Sequence, residues 1–174
     1  MTGRRVILIV AAGGLVLGLV PPLIRSPPLV IWNATASAPE GLYRLRRGDP
    51  LRVGQWVAGA PPPALSDWLD HRGAAPKGVL LIKQIAALSP TRICWSNGLI
   101  SLDGRRVATA RTRDRNRRPL PRLTGCRRLA ADQVFLLNAA PGSLDGRYFG
   151  PLPRRAVVGE VTPIWLVRRA ADAG

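Results

Sequence analysis

The chain has 174 residues, including 18 glycines and 17 prolines, and a formal net charge of +16 that comes almost entirely from arginine. Frequent glycine and proline, without a long amphipathic helical pattern, exclude a helical bundle and favour a turn-rich, mainly β architecture. A single histidine and two cysteines fall short of the roughly four Cys, His or carboxylate ligands of a zinc site, so no metal and no cofactor are expected. The positive charge admits nucleic acid, anionic lipid or an acidic partner, and composition alone does not choose among them.

Residues 1–5, MTGRR, are short and basic. Residues 6–24, VILIVAAGGLVLGLVPPLI, carry no charge and have about the length of a helix that crosses a bilayer. Pro21 and Pro22 leave only 6–20 uninterrupted. Arg4 and Arg5 ahead of the segment favour a cytoplasmic N-terminus. The alternative is a cleaved secretory signal, with small residues at Ala34, Ala36 and Ala38. On either reading, residues 25–174 form one exported domain large enough for a real core.

Strands are predicted at 29–32, 42–45 and 52–58, with a turn at 47–50. Ser37 lies in a small-residue segment between the first strand and the Pro39/Gly41 turn. Residues 61–73, PPPALSDWLDHRG, predict a helix: Pro at the start, Leu65, Trp68 and Leu69 on one face, Gly at the end. His71 falls at the end of that helix, where a basic side chain suits the dipole, and reads as structural or solvated. Residues 79–88, VLLIKQIAAL, predict the strongest strand, with Lys83 between Leu81 and Ile85 on one alternating face. A lysine there either snorkels at an edge or is held against apolar neighbours.

Residues 91–96 and 99–102, joined by Asn97–Gly98, predict a hairpin, and Asp103–Gly104 a second tight turn. A strongly basic stretch near 105–128 follows. Arg111, Arg113, Arg115, Arg117, Arg118, Arg122, Arg127 and Arg128 are opposed there only by Asp114. It reads as an exposed, solvated arm. Without interleaved aromatic side chains, it is not expected to bind nucleic acid. Cys94 and Cys126 bracket the arm. In an exported domain such a pair forms a disulfide, worth roughly 3–4 kcal/mol in the chain-entropy model, unless both remain free thiols. A further strand is predicted at 133–138, a turn at 141–142 that carries 143–150, a long or bent closing strand at 156–167, and a frayed tail at 168–174.

Three stretches together resemble the S26 signal-peptidase family, and within it the TraF-type conjugal-transfer peptidases. Asn33, Thr35, Ser37, Pro39, Gly41 and Tyr43 match the nucleophile segment N-x-T-x-S-x-P-x-G-x-Y. Lys83, followed by Ile85, Ala86 and Ala87, matches the segment that carries the lysine base. Ser143, Asp145, Arg147, Tyr148 and Gly150 match the closing box S-x-D-x-R-Y-x-G. Two departures stand out besides the heavy arginine arm. Gly146 stands where many signal peptidases carry a serine, and Ala38–Pro39 follow the candidate nucleophile where the general secretory enzymes more often have methionine.

The resemblance implies a signal-peptidase-like antiparallel β fold and a serine endopeptidase with a Ser37/Lys83 dyad. Ser37 would be the nucleophile and Lys83 a buried, neutral base. Burial is what could bring the lysine pKa down from near 10.4. The Ser37 N–H and the Thr35 hydroxyl would be the oxyanion donors. Ser143 would orient the amine, Asp145 and Arg147 would hold the closing loop as an ion pair, and Asn33 and Tyr43 would be structural. The implied location is the cytoplasmic (inner) membrane, with one spanning segment and a periplasmic catalytic domain. The implied substrate is an exported precursor such as a conjugative pilin, cleaved and in some members cyclised, among other components of the transfer apparatus. A general signal peptidase is the nearest alternative. A basic, non-catalytic accessory protein of a transfer or secretion apparatus is the alternative of another class.

Overall fold

The computed structural model describes residues 30–48 and 50–167, together with residues 3 and 7. Apart from residue 7, the apolar segment expected at 6–24 lies outside the described residues, as does the tail at 168–174.

The fold is mainly β and antiparallel, with one helix longer than a single turn among the described residues. A seven-stranded sheet begins with β1 (Val30–Asn33) against β2 (Gly41–Arg46). The strand β3 is Trp56–Gly59, β4 is Leu81–Leu88, β9 is Gln133–Leu137, β10 is Leu152–Pro153 and β11 is Val157–Leu166. Their spatial order is β1-β2-β11-β3-β4-β9-β10. The closing strand β11 therefore inserts between β2 and β3, and the chain returns to its own beginning. A four-stranded sheet, in the order β7-β6-β5-β8, is built from β5 (Arg92–Ser96), β6 (Leu99–Leu102), β7 (Arg105–Thr109) and β8 (Gly125–Arg128).

Local sequence explains the tight connections. Asn97 and Gly98 adopt φ of 50° and 79°, and Asp103 and Gly104 adopt 47° and 83°. These left-handed pairs match the twist of two-residue hairpins, which Asn, Asp and Gly tolerate best. The helix α1 spans Pro63–His71, with Leu69 buried and His71 exposed. Two strands start later than alternation predicts. β3 begins at Trp56 because residues 52–55 form a turn, in which Gln55 N–H donates to Arg52 C=O and its Oε1 accepts from Arg52 N–H. β4 begins at Leu81 because Val79 N–H closes a turn on Pro76 C=O.

The core falls into three clusters, and β4 feeds each. Ile82 packs with Tyr43, Leu45, Ala58 and Val161. Ile85 packs with Val57, Val134, Leu136 and Leu152. Ala87 packs with Ile93, Trp95, Ile100 and Phe135, which joins the two sheets. The alternation predicted for 79–88 breaks at a bulge: Ile85 pairs with Leu136, but Ala87 pairs with Phe135. The extra residue, Ala86, turns Ala87 away from the face it would share with Lys83 and Ile85.

The stretch expected as a basic arm contributes β7 and β8 at its ends. Val107, Ala108, Ala110 and Leu123 pack against the inter-sheet core. Between the strands, Asp114 accepts from both Arg72 Nη1 (3.0 Å) and Arg118 Nε (2.8 Å), which fastens the segment to the end of α1. Arg118 Nη2 donates back to Arg72 C=O. Most arginines of the stretch are exposed, as expected, while these contacts join partners more than forty positions apart. Cys94 and Cys126 sit opposite each other on β5 and β8 and are joined as a disulfide.

Candidate active site

Ser37 stands in the turn between β1 and β2, half buried. The Asn33 side chain shapes that turn from inside. Its Nδ2 donates to the carbonyls of Thr35 (3.0 Å), Ala38 (3.1 Å) and Pro39 (2.9 Å). Its Oδ1 accepts from the Thr35 N–H (3.1 Å) and the Thr35 hydroxyl (2.9 Å). The Tyr43 hydroxyl adds a bond to Pro39 C=O at 2.7 Å. Side chains thus satisfy a backbone that is too tightly turned to pair as a ladder.

Lys83 reaches the same place from the middle of β4. Its residue surface is only 4% exposed. The amine lies 2.9 Å from Ser143 Oγ and 3.4 Å from Ser37 Oγ. Alternation left open whether this lysine snorkels or is buried, the family resemblance implied burial, and the structure buries it. Burial pushes its pKa down from 10.5 to about 8; the nearby Asp145 carboxylate opposes that shift and Arg147 adds to it. The shift raises the neutral fraction of the amine at neutral pH to about one molecule in ten, far above that of a free lysine, and a neutral amine is what proton abstraction from a hydroxyl requires.

Ser143, fully buried, follows β9 in a turn closed by its own N–H on Ala140 C=O. Asp145 caps a single-turn helix, α2 (Gly146–Phe149), within the expected turn region. Asp145 and Arg147 form a buried ion pair with Nε to Oδ1 at 2.8 Å, rather than a surface pair. Asp145 Oδ1 also accepts from the Arg147 N–H, and Oδ2 accepts from the Asn138 N–H. The charges are paired and hydrogen-bonded, the condition under which burial is tolerated. The glycine at 146 has a physical cause here. A Cβ would come within 2.5 Å of Phe135 Cε2 and 2.7 Å of Leu136 O, so the aromatic ring fills the space a side chain would need.

Thr35 Oγ1 is 3.1 Å from Ser37 Oγ, yet its proton is given to Asn33 Oδ1. To donate to an oxyanion, the hydroxyl must rotate away from that acceptor. The sequence-derived candidates Thr35, Ser37, Lys83 and Ser143 therefore form one continuous cluster. Asp145 and Arg147 stand behind it, and Cys94 and Cys126 lie away on the second sheet.

Sequence reasoning passed over Asn138. This buried residue, 1% exposed, donates from Nδ2 to Ser37 C=O at 2.7 Å and to Ile82 C=O at 3.1 Å. Its Oδ1 accepts from Gln84 N–H at 3.0 Å, and its backbone C=O accepts from Arg147 Nη2. Its side-chain amide joins the serine turn to both sides of Lys83, and its backbone joins them to the ion pair. The available signal was an asparagine directly after an apolar strand and before Pro141–Gly142, which also describes an ordinary strand end.

This arrangement agrees with the relationships of the sequence. Residues 3–166 match the family model described as signal peptidase, peptidase S26. The chain belongs to that family, in its TraF-type branch. It is 33% identical to a probable conjugal transfer protein TraF of Sinorhizobium fredii, over 73% of this chain and 72% of that one. It is 30% identical to the conjugal transfer protein TraF of Agrobacterium tumefaciens, over 76% of this chain and 80% of that one. A plasmid transfer protein TraF of Escherichia coli is 25% identical over 92% of this chain and 97% of its own. A crystal structure of a signal peptidase I from Enterococcus faecalis covers 67% of the chain, and all of its own, at 16% identity and a TM-score of 0.40.

Proposed function

We propose that the chain is a membrane-tethered serine endopeptidase with a Ser37/Lys83 dyad, and that it processes an exported precursor in conjugal transfer, a pilin subunit first among the candidates. The observation that carries this reading is the contact between a buried amine and two hydroxyls, with Lys83 Nζ 3.4 Å from Ser37 Oγ and 2.9 Å from Ser143 Oγ. The names of the TraF relatives supply the conjugal context.

In the mechanism, neutral Lys83 takes the Ser37 proton as Oγ attacks the scissile carbonyl. The Ser37 N–H, joined by a rotated Thr35 hydroxyl, receives the oxyanion. Collapse breaks the C–N bond, and the leaving amine takes the proton back from Lys83. The acyl-enzyme is then opened by water, deprotonated by the same amine. If the precursor's own N-terminal amine attacks instead, the product is a cyclic peptide. Ser143 holds Nζ toward Ser37, and the Asp145–Arg147 pair fixes the turn that carries Ser143.

A membrane tether through residues 6–24 suits the surface at the start of β1. Trp32 and Trp165 are exposed and stacked there, with centroids 5.9 Å apart, beside exposed Val30 and Ile164. Amphipathic rings of this kind favour the boundary between lipid and water. The test is co-expression with a pilin precursor and with an unrelated preprotein, followed by mass spectrometry. Cleavage of the pilin precursor, abolished by Ser37→Ala and by Lys83→Ala, is expected, and the product mass reports cyclisation. Equal cleavage of both substrates would indicate a general signal peptidase. Transfer function that survives both substitutions would leave only a binding role.

A further inference from the structure

Away from the serine–lysine cluster, a small cavity of about 70 Å³ opens where the second sheet meets the closing box. Arg111, Arg122 and Arg147 line it, with Asn97 and Thr112, and no carboxylate is among its lining residues. Trp95 forms part of its wall. That side chain is 5% exposed, and its indole Nε1–H is the one buried side-chain polar atom without a hydrogen-bond partner among the described residues. A buried N–H left unpaired is costly, and native structures rarely tolerate one without a ligand or water to receive it.

Arg147 presents a second unspent donor. Its Nε and Nη2 edge is held by Asp145, and Nη2 also reaches Asn138 C=O. Nη1 has only a marginal contact with Thr109 C=O at 3.5 Å. Asp145 offsets the charge of Arg147, which leaves the pocket the Nη1 donor of Arg147 and the charges of Arg111 and Arg122. Its volume holds a group of a few heavy atoms.

We infer that this pocket is a binding site for a small oxyanion, held by Arg111, Arg122 and Arg147 against the wall that Trp95 forms. A peptide carboxylate and a phosphate share the chemistry that fits: several acceptor oxygens on one charged centre, suited to arginine forks. The site stands independently of the proposed catalytic reading, because it needs neither Ser37 nor Lys83.

The experiment follows the indole N–H resonance of Trp95 in the 15N-labelled full chain, in zwitterionic detergent. Trp95→Phe identifies the peak. Sodium acetate and sodium phosphate are titrated separately against sodium chloride at equal ionic strength. A saturable displacement of the Trp95 peak is expected with at least one oxyanion and not with chloride. Saturation by acetate identifies a carboxylate as the natural occupant, and saturation by phosphate alone identifies a phosphate. The double substitution Arg111→Gln and Arg122→Gln, at two exposed positions, should weaken that midpoint by about tenfold or more, since charge-assisted bonds are lost. A response equal to that of chloride, one that never saturates, or one untouched by the double substitution in a protein with an otherwise unchanged spectrum overturns the site.

Discussion

The Asn138 side chain donates to the Ser37 carbonyl at 2.7 Å, across 101 positions of sequence. The same amide group holds Ile82 C=O and Gln84 N–H, the backbone on either side of Lys83. The spacing between hydroxyl and amine is therefore set by a third residue. Asn138→Ala would leave two carbonyls and one N–H without this partner in a buried place. A loss of roughly 2–4 kcal/mol in stability is expected, at about 1 kcal/mol or more for each stranded group. Peptidase activity should fall further than unfolding alone accounts for. Urea denaturation midpoints and kcat, measured on the same preparation, check both; an active, fully stable variant would show the link to be dispensable.

Activity should rise with pH, with an inflection near the value of about 8 to which burial lowers the Lys83 amine. Stability carries the same signature. The unfolded lysine stays protonated up to about 10.5, while the folded one releases its proton from about 8. Between those values the unfolded state binds more protons, so stability increases as pH rises through the window, by roughly 3 kcal/mol in all. Below pH 8 both states are protonated and the full penalty of the buried charge is present. Lys83→Met removes the penalty along with the base. It should abolish activity while flattening the pH dependence of the thermal midpoint above pH 8.

Thr35→Val deletes a hydroxyl that now bonds Asn33 and would have to turn to meet an oxyanion. If it serves as donor, kcat drops by about 10²–10³ with little change in KM, and Thr35→Ser restores much of the loss. A change confined to stability would assign Thr35 to the architecture of the turn.

Gly146→Ser would push a Cβ into the Phe135 ring and the Leu136 carbonyl. The carbonyl belongs to a central strand and cannot move cheaply. Overpacking of this kind costs about 1–3 kcal/mol, read as a lowered thermal midpoint. The paired substitution Gly146→Ser with Phe135→Leu should recover part of it, by making room on the ring side.

The parts of this fold that were legible in the sequence are the ones written locally. The pairs Asn97–Gly98 and Asp103–Gly104 announce hairpins by their backbone tolerance, and α1 by its proline start and apolar face. The nucleophile turn, Lys83 and the closing box were found because each is a short contiguous string. Their meeting was implied only by the family resemblance, and the topology that brings it about was not legible. The insertion of β11 between β2 and β3, the bulge at Ala86 and the reach of Asn138 depend on partners far apart in sequence. The arginine-rich segment is exposed at most of its arginines, as expected, and only its tether to α1 escaped the sequence. That tether is invisible locally because Arg72, which with Arg118 shares Asp114, comes from a different element.

Because β4 supplies a side chain to all three core clusters, the amine of Lys83 rides on the least yielding part of the domain. Shifting it would disturb the packing on every side at once. On the proposed mechanism, the give that admits and releases a polypeptide would fall to the opposite bank, the short bend around Ser37 that Asn33 and Asn138 moor. On that mechanism, the grip of those two asparagines on the loop would then set how readily the alcohol meets the base.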